Sequence, residues 1–127
     1  MPRFISDKPA EALMFRCGLA LYLAVILIGS IPGARAEVGE VASGLVLHFV
    51  TYACIAYLLA CGAAGSLTAR AIKAFCIVVV MGALDEGIQS FLPYRNGALA
   101  DWMVDMSAAL FVTLTWRIRG NGKTETV

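Results

Sequence analysis

Long apolar stretches, separated by short groups of charged and turn-forming residues, make up most of this chain. Two of them, residues 17–34 and 41–69, contain no Asp, Glu, Lys or Arg. Each reaches the length of about 20 residues, give or take a few, that a helix needs to cross the hydrocarbon core of a bilayer. The pattern therefore predicts two membrane-spanning helices in the first half of the chain.

Two further apolar stretches, residues 74–84 and 106–116, are too short to span a bilayer by themselves. They reach spanning length only if their helices also include nearby acidic residues, which must then face other helices and not lipid. On that condition the chain forms an all-α, integral membrane four-helix bundle, and residues 1–127 form one domain. The predicted spans cover roughly residues 15–34, 44–66, 72–92 and 99–117.

The distribution of basic residues predicts the orientation of these helices. Of the ten Lys and Arg residues, all but Arg35 and Arg95 precede the first span, lie between the second and third, or follow the fourth. Positively charged loops stay on the cytoplasmic side of a membrane. Both termini are therefore predicted to be cytoplasmic, and the loops at residues 31–43 and 92–98, which contain turn-forming Pro and Gly, are predicted to lie outside.

Composition supports a multi-pass integral membrane protein whose partners are membrane lipids. The chain is 60% hydrophobic and 15% charged, with a mean hydropathy of +0.79, whereas ordinary soluble domains are about 25% charged. Its net charge of +1 includes no basic stripe of the kind that binds phosphates, so no nucleic-acid partner is predicted. The oligomeric state is left open.

The cysteines give no sign of a disulfide framework or a metal centre. All four lie in apolar runs, without a C-x-x-C pair or a His at metal-ligand spacing. Small buried apolar side chains are the expected role. The sequence therefore predicts no cofactor and no resident metal. The four are Cys17, Cys54, Cys61 and Cys76.

The first apolar segment has an alternative interpretation as a cleavable secretory signal. A basic start, an apolar run over residues 17–31 and small residues around Arg35 are typical of such signals. The stretch before the apolar run is long and contains Asp7 and Glu11, which favours a retained helix. Either way, the second span begins outside.

Polar residues inside the predicted spans occur as pairs four residues apart, which share one face of a helix. Counted at about 1.5 Å per residue from the basic anchors, all pairs fall in the outer half of a core about 30 Å thick. An outward-facing polar pocket is therefore predicted, with Arg95 in the loop above it. Glu86 is favoured over Asp85 for this pocket, because Gln89 lies three residues on; Asp85 is expected on the flank or paired with a basic group. The ligand-binding candidates are His48, Tyr52, Asp85, Glu86, Gln89, Arg95, Asp101 and Asp105.

Each of these residues also has a purely structural interpretation. His48 can hydrogen-bond to a carbonyl group or to a neighbour such as Asp101. Tyr52 can be an interfacial anchor, as can the two tryptophans. Arg95 can clamp a carboxylate of Asp101 or Glu86 without any part in binding. Ser90, Thr113 and Thr115 are expected to bond to their own helix backbones.

The same residues resemble the VanZ-like family of small membrane proteins. The family pattern has a His and a Tyr one turn apart in one span, then Glu-x-x-Gln, a Pro-x-Arg turn, and Asp-x-x-x-Asn at the start of the last span. The matches are His48 with Tyr52, Glu86 with Gln89, residues 93–95, and Asp101. Asp105 stands where the family has Asn, and Gly44-Leu45 replace an Asp-Lys pair. The resemblance implies a four-helix bundle of the cell envelope, located in the bacterial inner (cytoplasmic) membrane, and an effect on susceptibility to glycopeptides such as teicoplanin.

Three classes of function remain open. The first is an envelope protein without catalysis of its own, whose outer polar cluster holds the helices together or binds a lipid-linked or glycan-linked ligand at the outer face. The second is a membrane-embedded enzyme acting on a lipid or cell-wall precursor, with Glu86, Asp101 and His48 as acid–base candidates; a divalent-metal version, recruiting Asp101, Asp105 and Glu86, lacks a diagnostic spacing. The third is a proton-coupled carrier, which four short helices without an inverted repeat disfavour. The first class is preferred, and whether the protein is an enzyme is left open.

Overall fold

A computed structural model of the chain describes residues 3–39, 43–94 and 98–121, and these residues confirm the all-α prediction. Three of the four long helices, α1, α3 and α4, are long and apolar enough to cross a membrane. The fourth, α5, is comparable in length at 23 residues but is less apolar than these three. The helices are α1 (Pro9–Gly29), α2 (Ala34–Gly39), α3 (Gly44–Gly62), α4 (Leu67–Ser90) and α5 (Leu99–Asn121).

Local sequence signals explain where several helices begin. Ser43 and Ser66 cap α3 and α4, since each hydroxyl oxygen accepts a hydrogen bond from the backbone N–H three residues on, at 3.4 and 3.2 Å. Pro9 opens α1, where its fixed φ suits the first helical turn. Gly65 has a φ of 114°, a backbone conformation that favours glycine, and it reverses the chain between α3 and α4.

The helix boundaries differ from the predicted spans most clearly near the N-terminus. The first predicted span, residues 15–34, is observed as Pro9–Gly29, and the following outer loop contains the short helix α2. The early start is possible because charged side chains at this end pair with one another, as Lys8 Nζ does with Glu11 Oε1 at 3.2 Å. The early end places Gly33, with a φ of 85°, between α1 and α2. The pattern of apolar residues predicts neither the early start nor the early end of α1.

The long helices that follow one another in the chain are antiparallel, whereas α3 and α5 run parallel, and the helices pack closely at small residues. Gly62 of α3 lies directly against Phe15 and the backbone of α1, and Gly18 of α1 lies against Leu59. α5 packs against both α3 and α4, whereas α1 packs mainly on α3. Such close helix approach at glycine and alanine is typical of membrane bundles. The buried core is formed largely by Tyr52, Ile55, Ala56, Leu59, Ala60, Ala74, Val78, Ala108 and Ala109.

One end of the bundle is rich in basic side chains. The N-terminal segment covers the turn between α3 and α4, where Ala64 N donates to Phe4 O at 2.9 Å. Lys73 Nζ donates to Ala64 O at 2.7 Å, and Arg70 Nε donates to Ala60 O at 2.8 Å. These bonds satisfy carbonyl groups at the C-terminal end of α3 and in the turn after it. The buried polar residues lie towards the other end of the same helices.

The outer surface of the helices is strongly apolar, as lipid contact requires. Large exposed side chains include Leu23, Leu27 and Val80. The expectation that the cysteines are buried is wrong for three of them, because only Cys61 is partly buried. Lipid surrounds a membrane bundle with an apolar medium, so a small apolar side chain is suited to the outer face as well as to the core. The three exposed cysteines are Cys17, Cys54 and Cys76.

Candidate functional site

Buried polar side chains from α3, α4 and α5 meet at the end of the bundle away from the basic residues. Each comes from one of the predicted i,i+4 pairs, so three helices contribute to one site. Asp105 is fully buried, and the other acids and the amide are 3–6% exposed. Burial of several carboxyl groups costs free energy, which their mutual contacts with polar partners must offset. The buried polar residues are Asp85, Gln89, Asp101 and Asp105.

Asp85 lies at the centre of this site. The Tyr52 hydroxyl donates to Asp85 Oδ2 at 3.0 Å, and Gln89 Nε2 donates to Asp85 Oδ1 at 2.7 Å. The expectation that Asp85 lies on the flank or pairs with a basic group is therefore wrong. Gly82, one turn earlier, packs against α5 and turns the face shared by residues 82, 85 and 89 towards the interior.

His48 lies between two carboxyl groups of α5. Its Nδ1 is 2.9 Å from Asp105 Oδ1, and its Nε2 is 3.8 Å from Asp101 Oδ2. The imidazole ring also stacks on the Tyr52 ring at a centroid distance of 6.0 Å. The structural interpretation of His48 predicted a hydrogen bond to a carbonyl group or to a neighbour such as Asp101. The hydrogen-bonded neighbour is Asp105, and Asp101 lies farther away.

Glu86 lies on the side of the site formed by α4 and α5. Its Oε2 accepts a hydrogen bond from Ala98 N at 2.6 Å, which ties α4 to the start of α5. Its Oε1 is buried and has no hydrogen-bond partner among residues 3–39, 43–94 and 98–121. One side-chain ligand atom each from Glu86, His48 and Asp101 lie within 4.8 Å of one another. Glu86 is thus beside Asp101, as the sequence predicts, while Arg95 lies outside the described residues.

A cavity of about 340 Å³ adjoins the polar residues on the side of α1 and α2. Only sparse contacts join α1 to α4 in the described part of the chain, which leaves space between them. Tyr22 bridges them at one level, where its hydroxyl donates to Met81 O at 3.1 Å. The polar lining is His48, Thr51, Tyr52, Asp85 and Gln89; the rest is Val25, Ile28, Gly29, Ala34, Gly39, Gly44 and Leu47.

Sequence reasoning missed the contribution of α1 and α2 to this cavity. Val25, Ile28 and Ala34 carry no polar group, and an apolar residue in a membrane helix gives no sign of whether it faces lipid or a cavity. Trp102 was considered as an interfacial anchor, yet its Nε1 donates to Val79 O at 3.0 Å between α4 and α5. The expected backbone bonds of Ser and Thr are confirmed, for example Thr113 Oγ1 to Ala109 O at 2.9 Å.

No model of a known protein family, no curated protein and no solved structure matches this chain. The chemistry available to the site follows from its side chains. Carboxyl groups accept hydrogen bonds from hydroxyl and amine groups, and a histidine between two carboxyl groups can hold a proton or take part in binding a cation. The apolar wall can cover hydrocarbon. The site therefore combines polar and apolar surfaces in one concave region.

Proposed function

We propose that this chain is a VanZ-like multi-pass protein of the bacterial cytoplasmic membrane, whose outward-facing pocket binds a lipid-linked or glycan-linked ligand of the envelope. The single observation that carries the proposal is the two-sided lining of the 340 Å³ cavity. Val25, Ile28 and Leu47 form its apolar side, while His48 and Asp85 lie on its polar side. A pocket of this size and character suits an amphiphile with a polar head group.

The proposed topology has four spans with both termini in the cytoplasm. Three helices meet the length and composition of a span, and α5 is the fourth in this proposal. Its two acids support that assignment, because Asp101 is 6% exposed and Asp105 fully buried, so neither faces lipid. Most basic residues gather at the opposite end from the pocket, which supports an outer-leaflet position for the pocket in this proposal under the positive-inside rule.

The family assignment is supported by the contacts among the residues that carry the resemblance. His48, Glu86 and Asp101 each place one ligand atom within 4.8 Å of the others. Tyr52 and Gln89 share Asp85 as a hydrogen-bond partner. Residues distant in the chain that share a buried polar site are consistent with a common role in binding. The resemblance extends the proposal to glycopeptide susceptibility: a protein that holds an envelope lipid or glycan at the outer leaflet changes what teicoplanin meets at the cell surface.

Blocking the apolar side of the cavity tests ligand binding. Ile28→Trp adds bulk to a cavity-lining position, whereas Leu27→Trp adds the same bulk at the neighbouring position, which is 68% exposed and does not line the cavity. Native mass spectrometry of protein released from bacterial membranes should detect a bound envelope amphiphile on the wild type and on Leu27→Trp. Ile28→Trp should weaken binding by about tenfold, which corresponds to a loss of about 1.4 kcal/mol, and its occupancy should be lower than that of Leu27→Trp.

Equal occupancy in both variants, or none in the wild type, would contradict this binding role.

A second candidate function is catalysis, favoured by the 2.9 Å contact between His48 and Asp105 beside Glu86 and Asp101. Such a group of side chains can move protons. The same membranes distinguish the two functions, since an enzyme changes the covalent structure of lipids or cell-wall precursors when the protein is expressed, and a binding protein leaves those structures unaltered.

A further inference from the structure

The contact between His48 and Asp105 fixes which nitrogen of the imidazole ring faces the polar site. Asp105 is fully buried and its Oδ1 lies 2.9 Å from Nδ1, so an ionised Asp105 carboxylate accepts a hydrogen bond from the Nδ1–H tautomer of the ring. The lone pair of the neutral ring is then on Nε2, towards Asp101. A buried carboxylate that orients a histidine in this way is the common outer partner of metal-binding histidines.

Two carboxylate groups lie near this histidine on the side away from Asp105. Asp101 Oδ2 lies 3.8 Å from Nε2, too far for a hydrogen bond, and one ligand atom each from His48, Glu86 and Asp101 lie within 4.8 Å of one another. Metal–ligand bonds of about 2.0–2.2 Å separate neighbouring ligand atoms by about 3–3.5 Å, so small side-chain movements would bring the three atoms to the spacing around a metal ion.

A separate observation points to the same site. Glu86 Oε1 is buried without a hydrogen-bond partner among the described residues, although Oε2 is bonded to Ala98 N. A carboxylate oxygen withdrawn from water and left without a donor costs free energy, and a bound ion is one of the few ways to satisfy it. The Glu86 carboxylate thus has a free acceptor beside two other potential ligands.

We propose that His48, Glu86 and Asp101 bind a divalent metal ion, one ligand from each of three helices, with Asp105 as the positioning residue of His48. One nitrogen and two oxygen ligands suit ions such as Zn²⁺ and Mn²⁺, because imidazole and carboxylate both bind them. The site adjoins the cavity between α1 and α4, because His48 also lines that cavity. This inference goes beyond the proposed function and does not depend on the lipid or glycan ligand.

Metal uptake by the purified full-length protein in detergent tests the site in the absence of any added lipid. After chelator treatment and gel filtration, the wild type should bind one equivalent of Zn²⁺ or Mn²⁺ in calorimetric titration. Glu86→Gln keeps the size of the side chain but removes an anionic ligand, and it should weaken binding at least tenfold. Asp105→Asn should weaken it by about 10–100-fold, the usual effect of losing an outer partner.

Asp7→Asn is the matched control, because Asp7 is an exposed carboxylate whose side chain is 67% accessible near the N-terminus; its uptake should equal that of the wild type. Co²⁺ offers a measurement on the wild type that needs no variant: visible absorption bands of a nitrogen- and oxygen-bound ion should appear and should be lost on adding Zn²⁺. Uptake below a stoichiometric equivalent by folded wild-type protein, or unchanged affinity in a folded Glu86→Gln protein, would overturn the proposal. Loss of lipid binding with intact metal uptake would count against the proposed function alone.

Discussion

Tyr52 is the side chain through which the apolar core of the bundle meets its polar site. Its ring is fully buried next to Ile55 in the core, while its hydroxyl donates to Asp85 Oδ2 at 3.0 Å. Asp85 therefore has two donors, the Tyr52 hydroxyl and the Gln89 amide. In an apolar medium a carboxyl group without such donors is costly, so each donor stabilises the folded bundle.

Tyr52→Phe should lower the free energy of unfolding by about 1–2 kcal/mol, because it removes one hydrogen bond to a buried carboxyl group with little change in volume. The matched control is Tyr57→Phe on the same helix, where the ring is 46% exposed and stacks edge-on against Trp116. That substitution should stay within about 0.5 kcal/mol of the wild type. Unfolding in detergent, followed by circular dichroism, measures both. Equal losses in the two variants would show that the Tyr52 hydroxyl has no special role.

At the scale of helices, the i,i+4 spacing of polar residues predicted which helix faces meet. Tyr52 of α3 contacts Asp85 of α4, and His48 of α3 contacts Asp105 of α5, on those faces. The same spacing did not identify Asp85 as the central acid. The rotation of α4 is set by close packing at Gly82, and a helix that is apolar on nearly every side has no hydrophobic stripe to reveal its rotation. The short helix α2 was missed for a related reason, since its six residues are too few to show a period.

Gly82 provides a test of that packing. A Cβ atom there would lie 2.9 Å from Trp102 Cδ1 and 3.0 Å from Asp105 Oδ2, so Gly82→Ala should push α4 and α5 apart. Overpacking of this kind costs about 1–3 kcal/mol, against a gain of up to about 1 kcal/mol in helix propensity. We expect a net loss of stability, measured as a lower midpoint of thermal unfolding in detergent.

Gly87→Ala on the same helix is the control for Gly82→Ala. A Cβ atom at Gly87 would meet no atom of the described residues of neighbouring elements within 4 Å, so the gain in helix propensity is the expected effect. This variant should be as stable as the wild type or slightly more stable. If Gly82→Ala raises the unfolding midpoint as Gly87→Ala does, then α4 and α5 do not approach as closely as the structure describes.

For the molecule as a whole, charge is divided between the two ends of the bundle. Arg70 and Lys73 lie at the start of α4. Because α5 is antiparallel to α4, the C-terminal end of α5 lies at the same end of the bundle. That end of α5 carries Arg117 and Arg119. The buried acids and His48 lie towards the other end. Positively charged segments of membrane proteins stay on the cytoplasmic side, so the basic end of the bundle is predicted to face the cytoplasm.

The predicted topology places both termini in the cytoplasm and the loop at residues 92–98 outside. A single cysteine replacing Asn96 or Thr124, in a background where the four native cysteines are alanine, should react with a membrane-impermeant maleimide in intact cells only at Asn96→Cys. Permeabilised cells serve as the control, since both positions should then be labelled to a similar extent. The expected difference follows from the eight-to-two distribution of Lys and Arg between the two sets of loops. Labelling of Thr124→Cys in intact cells would show the opposite orientation. The polar pocket would then lie at the cytoplasmic leaflet, where it could not meet a ligand on the outer face.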